Sequence, residues 1–192
     1  MPIANGFDLP EESVYDLVRA VYRASDAFPA THEETFPDLA AFSHHLHALR
    51  QRPGHIFVVA RQEETLTGFL IIEPRAAQRV SHIADIRSGT LQASFEHDTE
   101  HRMLDSVLRQ LVDESILETV YVSIRADQPD RIRAYDKVGF ERKAVLKNDI
   151  KLDGKYYDTV LMSLDLLHFN VQRRFGGSLQ MGDRQTLNPT SP

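Results

Sequence analysis

Cysteine and tryptophan are both absent from the 192 residues of the chain. The first absence removes disulfide frameworks, thiolate zinc sites and cysteine nucleophiles at once. No apolar run approaches the roughly 18 residues that a membrane-spanning helix needs, and the opening MPIANGFDLP has neither the charged n-region nor the apolar h-region of a signal peptide. Positive charge is also in deficit: 22 Lys+Arg against 28 Asp+Glu leave a formal charge of −6. Nucleic-acid and anionic-membrane binders need a net basic surface, so neither partner is expected. Gly-x-Ser-x-Gly, Walker and dinucleotide fingerprints are missing, which leaves hydrolase, NTPase and dehydrogenase readings without support. What is present, 42% hydrophobic and 26% charged residues, is ordinary for one soluble globular domain. A cytoplasmic location is the expectation.

Val14, Leu17, Val18 and Val21 recur at helical spacing, and Glu11 and Glu12 stand at the end a helix dipole makes positive, so residues 10–25 read as an amphipathic helix. After the loop SDAFPATHEETFP, Leu39, Phe42, Leu46 and Leu49 predict a second helix from Asp38 to about Arg52, stopped by Pro53-Gly54. Residues 55–60 and 66–72 are β-rich runs in a hairpin pattern, and a further strand is expected between Val80 and Leu91. Met103, Leu104, Val107, Leu108, Leu111, Val112 and Ile116 share one face of a long helix over about 98–117. The β-branched run Thr119–Ile124 follows, then a short helix over about 130–138. Two strands, Phe140–Ile150 and Tyr156–Leu166, close the core around Asp153-Gly154, a tight-turn pair. Residues 1–167 read as a single domain and 168–192 as an irregular tail.

This order, with the run Val122-Ser-Ile-Arg-Ala-Asp-Gln-Pro-Asp-Arg-Ile-Arg-Ala-Tyr135-Asp-Lys-Val-Gly139-Phe140, resembles the GNAT superfamily of acyl-CoA-dependent N-acetyltransferases. There the region reads as a strand, a polar residue that is often Asn, then Ala-Ile-x-x-Tyr-x-x-x-Gly-Phe. Gln128 falls at the Asn position, Ile132 at the Ile, and Tyr135, Gly139 and Phe140 match outright. Leu152–Met162 is similar to the final hairpin of the branch containing ribosomal-protein and small-amine acetyltransferases. The resemblance spans residues 54–166 and implies an α/β (α+β) fold: a mixed, mostly antiparallel sheet splayed between strands four and five and flanked by helices. The family's usual first strand has a poor candidate in MPIANGF, which leaves open whether that edge strand is present.

The resemblance also implies acetyl-CoA as cofactor, held at Thr90 and Leu91, at Asp98, Thr99, Glu100, His101 and Arg102, and at Gln128. At this loop the chain departs from the family pattern Arg/Gln-x-x-Gly-x-Gly/Ala, in which backbone N–H groups approach the pyrophosphate. Phe95 takes the basic position, and Asp98 and Glu100 take the two small-residue positions. A carboxylate about 4 Å from a phosphate oxygen, at an effective dielectric near 20, repels it by roughly 4 kcal/mol. His97, His101 or Arg102 turned inward would offset part of this. Alternatively Asp98 and Glu100 cap the helix that follows.

By the same resemblance Tyr135 is the acid that protonates the CoA sulfur, and a backbone N–H of a bulged fourth strand polarises the thioester. The competing reading of Tyr135 is a ring packed between helix and sheet. Asp85 is the candidate general base; strand alternation puts it on the face of Ile83 and Arg87, and an ion pair with Arg87 or plain exposure is the alternative. Pairs His97/His101 and His44/His47 are each half a metal site, so no metal is expected. Phe28, Phe36, Glu33 and Glu34 could favour a cationic amine or belong to a solvated loop, and Arg173-Arg174 could be a phosphate contact or a solvated tail.

Two functions follow. One is transfer of an acyl group from acyl-CoA to a primary amine of a small molecule or protein. The other is a catalytically silent binding or regulatory module of the same fold that does not bind CoA normally. Homodimerisation through strand edges or the tail is compatible with either.

Overall fold

A computed structural model describes residues 2–25, 28–91, 99–114 and 116–169. Seven strands form one sheet in the order β1-β2-β3-β4-β5-β7-β6. The strands are β1 (Ile3–Asn5), β2 (Ile56–Gln62), β3 (Thr65–Pro74), β4 (Ile83–Thr90), β5 (Thr119–Arg125), β6 (Glu141–Leu152) and β7 (Lys155–Asp165), and the helices are α1 (Glu11–Ala24), α2 (His32–Thr35), α3 (Leu39–Arg50), α4 (Thr99–Glu114) and α5 (Pro129–Val138). Every neighbouring pair is antiparallel except β4 and β5.

Alternation along the strands builds two cores. Phe57, Val59, Phe69 and Ile71 face Val14, Leu17, Val18 and Val21 of α1 and Phe42, Leu46 and Leu49 of α3. The intervening residues Val58, Ala60, Leu70 and Ile72 face Met103, Leu104, Val107, Leu108 and Leu111 of α4 on the other side. Central strands covered on both faces explain the nearly continuous apolar runs of β2 and β3.

The first strand, which the sequence leaves open, is present. Ile3, Ala4 and Asn5 pair with Ala60, Val59 and Val58. It is three residues long, too short for a period-2 pattern to register, and Asn5 ends it by accepting a hydrogen bond from the Phe7 N–H at 3.0 Å. The loop between the first two long helices contains α2. Thr31 accepts from the Glu34 N–H at 3.2 Å, and the Glu34 carboxylate accepts from the Thr31 N–H at 2.7 Å. This capping box satisfies two donors that a four-residue helix would otherwise leave open.

Asp153 and Gly154 have φ of 48° and 79°, the two positive values of a type I′ turn, and join Leu152 to Lys155. β6 forms the sheet border and is exposed through Asp149; its pairing with β7 shifts between Arg142 and Ala144 and again between Leu146 and Ile150. Among the described residues no helix is long and apolar enough to cross a membrane.

Candidate functional site

The parallel ladder of β4 and β5 runs only from Ile83↔Thr119 to Asp85↔Tyr121. Beyond it β5 continues beside β7 as far as Arg125↔Thr159, while β4 stays on β3 to Thr90. The edge of β4 from Ile86 to Thr90 therefore opens as a wedge. The β3–β4 register is uninterrupted from Pro74↔Ala84 to Gly68↔Thr90, so the expected bulge in this strand is not there.

Four side chains fill the wedge. Ser88 stands on the α4-facing side of β4, Glu100 in the first turn of α4, and Arg131 and Tyr135 one turn apart on α5. Arg131 Nε donates to both Glu100 carboxylate oxygens, at 3.2 and 3.1 Å, and its Nη2 donates to Oε1 at 2.9 Å. The same Nη2 reaches the Ser88 hydroxyl at 3.0 Å and the Ser88 peptide oxygen at 3.2 Å, an acceptor on the splayed strand. Nη1 donates to the Gln128 side-chain oxygen at 3.2 Å. The Ser88 hydroxyl donates to Glu100 at 2.7 Å and lies 2.9 Å from the Tyr135 hydroxyl. A serine hydroxyl has one proton and two lone pairs. Its proton goes to Glu100, so Ser88 accepts from Arg131 and from Tyr135, and its capacity is full.

The network is buried. Glu100 is 5% exposed and Tyr135 0%, with the Tyr135 ring edge-on to Phe140 at 5.0 Å. Burial, reinforced by the Glu100 carboxylate, raises the Tyr135 pKa above its ordinary value. Burial pulls the Arg131 guanidinium down, but the charges and hydrogen bonds of Glu100 and Tyr135 together more than offset it, leaving the pKa above the usual arginine value. Two residues beyond Ser88 on the same side, the Thr90 hydroxyl is buried with no hydrogen-bond partner among the described residues.

The wedge thus brings together Tyr135, Glu100, Gln128 and Thr90 of the residues singled out in the sequence. Thr99 is buried beside Glu100, His101 is half-buried and Arg102 exposed. Leu91 points away, toward the core under α1, and Asp98 lies outside the described residues, as do Phe95, His97 and the arginines of the tail. Asp85 is on the opposite face of β4. Its carboxylate accepts from Arg75 Nε and Nη2, both at 2.8 Å. The expected partner Arg87 instead stands 3.5 Å from Glu73, a diagonal neighbour on β3, where Glu73 is paired with Asp85 and Ile71 with Arg87; such diagonals are within reach of long side chains. Phe28 stacks on Tyr22 at 4.0 Å and Phe36 is buried. Glu33 pairs with Arg23 at 3.4 Å, and Glu34 completes the capping box of α2 with Thr31, the N-cap. Among the described residues no three His, Cys, Asp or Glu side chains converge on a metal position.

Sequence reasoning missed Ser88 and Arg131. A signal for Arg131 existed: it precedes Ile132, where the family motif carries Ala.

The orphan Thr90 hydroxyl and the free β4 edge suit a polar ligand. The Glu100–Arg131 pair stands in the same wedge; its guanidinium has the charge to hold a diphosphate and its carboxylate the charge to oppose one.

No family model and no curated protein matches the chain. Solved structures do. A ribosomal-protein-alanine N-acetyltransferase from Brucella melitensis is similar at TM-score 0.74 and 17% identity over 86% of this chain and 99% of the other. A GNAT-family acetyltransferase from Streptococcus pneumoniae gives 0.76 and 15% over 85% and 98%. A phosphinothricin acetyltransferase from Sinorhizobium meliloti, solved with acetyl-CoA, gives 0.73 and 15% over 85% and 87%.

Proposed function

With the GNAT acyltransferase fold as premise, we propose that the chain transfers an acyl group from an acyl-CoA to a primary amine of a small molecule or protein. The observation that carries this reading is the Tyr135 hydroxyl, held 2.9 Å from Ser88 on the unpaired edge of β4. An acyl-CoA would supply the thioester whose C–S bond is exchanged for the C–N bond of the amide. Tyr135 is protonated at neutral pH, because burial raises its pKa; the same burial makes it a weaker acid, so donating to a departing thiolate requires that the burial be relieved when the ligand enters. The free β4 edge, with the Thr90 hydroxyl beside it, offers hydrogen bonds to an extended ligand. Asp85, locked to Arg75, is not assigned the role of base.

The buried Glu100–Arg131 pair favours a second reading, a silent binding module of the same fold. The two separate on titration. Acetyl-CoA raising the melting temperature and binding in the micromolar range supports the enzyme; no heat and no shift at millimolar concentration supports the silent module. Thiol release in the presence of a panel of amines then names the acceptor class.

A further inference from the structure

Glu100 and Arg131 come from different helices, yet each fills a position where the acetyltransferase motifs quoted above carry a small residue. The two departures match in sign and meet in space, with the Arg131 Nη2 to Glu100 Oε1 distance at 2.9 Å. Neither substitution is tolerable alone. A lone buried carboxylate or guanidinium lacks its counter-charge, while the pair is neutral. An ion pair is also a poor choice for stability by itself, because small or apolar residues fill such a space at no desolvation cost. Position adds the rest: Arg131 caps the free Ser88 peptide oxygen, and Tyr135 sits behind the pair with 0% exposure. The Thr90 hydroxyl on the same side is buried and, among the described residues, unpartnered.

We propose that Glu100 and Arg131 form a gate across the donor wedge. In the closed state described here Glu100 acts as an internal anion, holding Arg131 against Ser88 and sealing Tyr135. When the pair parts, Arg131 becomes the receptor for a phosphoryl anion of the incoming nucleotide-bearing ligand, and Glu100 is the group it displaces. This gate rests on the acyl-CoA reading of the wedge.

The test is calorimetric titration with two probes: CoA, and pantetheine, which lacks the nucleotide diphosphate. Glu100→Gln keeps the shape and the contact to Ser88 while removing the competing charge, and it should bind CoA at least tenfold tighter than the parent chain. Pantetheine should show no such gain, and Arg131→Met on the Glu100→Gln background should abolish it. Glu100→Gly with Arg131→Ala, which opens the wedge without leaving a lone charge, covers the case in which Glu100→Gln melts below the titration temperature. Lacking the receptor, this double variant should gain no more for CoA than for pantetheine, and a CoA-specific gain in it overturns Arg131 as the anion receptor. Equal CoA affinity in the parent and in the folded variants overturns the gate and leaves the acyl-CoA reading standing. An equal gain for pantetheine in Glu100→Gln overturns Arg131 as the anion receptor. No heat with CoA in any folded variant, the double one included, overturns the acyl-CoA reading and the gate with it.

Discussion

Arg131 and Glu100 bind each other through both Nε and Nη2, at 2.9 to 3.2 Å, across the gap between the first turns of α5 and α4. The side chains are 11% and 6% exposed, so the pair is largely removed from solvent, and its two halves depend on each other.

Arg131→Ala is expected to lower stability by about 3–5 kcal/mol, because it strands a buried carboxylate. Adding Glu100→Ala should recover part of that loss rather than deepen it. A double-mutant cycle from chemical denaturation reads the coupling, and strict additivity would show that the pair is not coupled.

Tyr135→Phe removes one hydroxyl and leaves Ser88 still bonded to Glu100 and Arg131. A stability loss of about 0.5–1.5 kcal/mol is expected from one hydrogen bond, with the fold retained by circular dichroism. On the acyltransferase reading the turnover rate should fall by about 10²–10⁴-fold with the donor KM little changed. A mere packing role would leave turnover intact.

His32 is buried among Tyr15, Tyr22 and Phe36, with its Nε2 unpartnered among the described residues. Burial lowers its pKa below the ordinary 6.5, with Glu33 opposing and Arg19 and Arg23 assisting. The unfolded chain then binds the proton more readily than the folded one. The neutral-histidine contribution is complete above the unfolded value near 6.5 and is lost as pH falls below it toward the lowered folded value. His45, also lowered by burial, acts in the same direction. Melting temperatures measured from pH 7.5 to 5 should decline, and His32→Phe should flatten part of that decline.

Gly89 lies in β4 with its missing side chain facing α1. A β-carbon there would stand 2.4 Å from a Val21 methyl and 2.9 Å from the Phe28 ring. Gly89→Ala should cost about 1–3 kcal/mol through overpacking, read as a lower denaturation midpoint. Gly154→Ala, by contrast, meets nothing within 4 Å and acts only through its positive φ.

Most of the architecture was legible because the long elements carry strong periods. Val14, Leu17, Val18 and Val21 on α1, and Met103 to Leu111 on α4, sit where helical spacing put them. Short elements escaped: β1 rests on three backbone pairings rather than on a pattern. The α2 capping box was readable as Thr31-x-x-Glu34 but lay within a run of loop-like composition. At the site, Tyr135 and Gln128 could be found from their motif, whereas Ser88 and Arg131 could not be found from chemistry alone. A serine in a strand and an arginine in a helix are unremarkable until a third element brings a carboxylate between them. Asp85 illustrates the converse, since its face followed from alternation but its partner depended on cross-strand register.

The border of the sheet carries one further consequence. Twelve residues of β6 end the sheet with a backbone row that no described strand covers, and an unbroken border of that length invites further chains to stack on it. The two register shifts cut its paired stretches to Glu141–Arg142, Ala144–Leu146 and Ile150–Leu152. Asn148, at φ 55°, turns the backbone between the last two, and Lys143 and Lys147 place charge along the rim. The irregularities of this hairpin therefore act as insurance against fibrous growth, and straightening β6 would trade solubility for regularity.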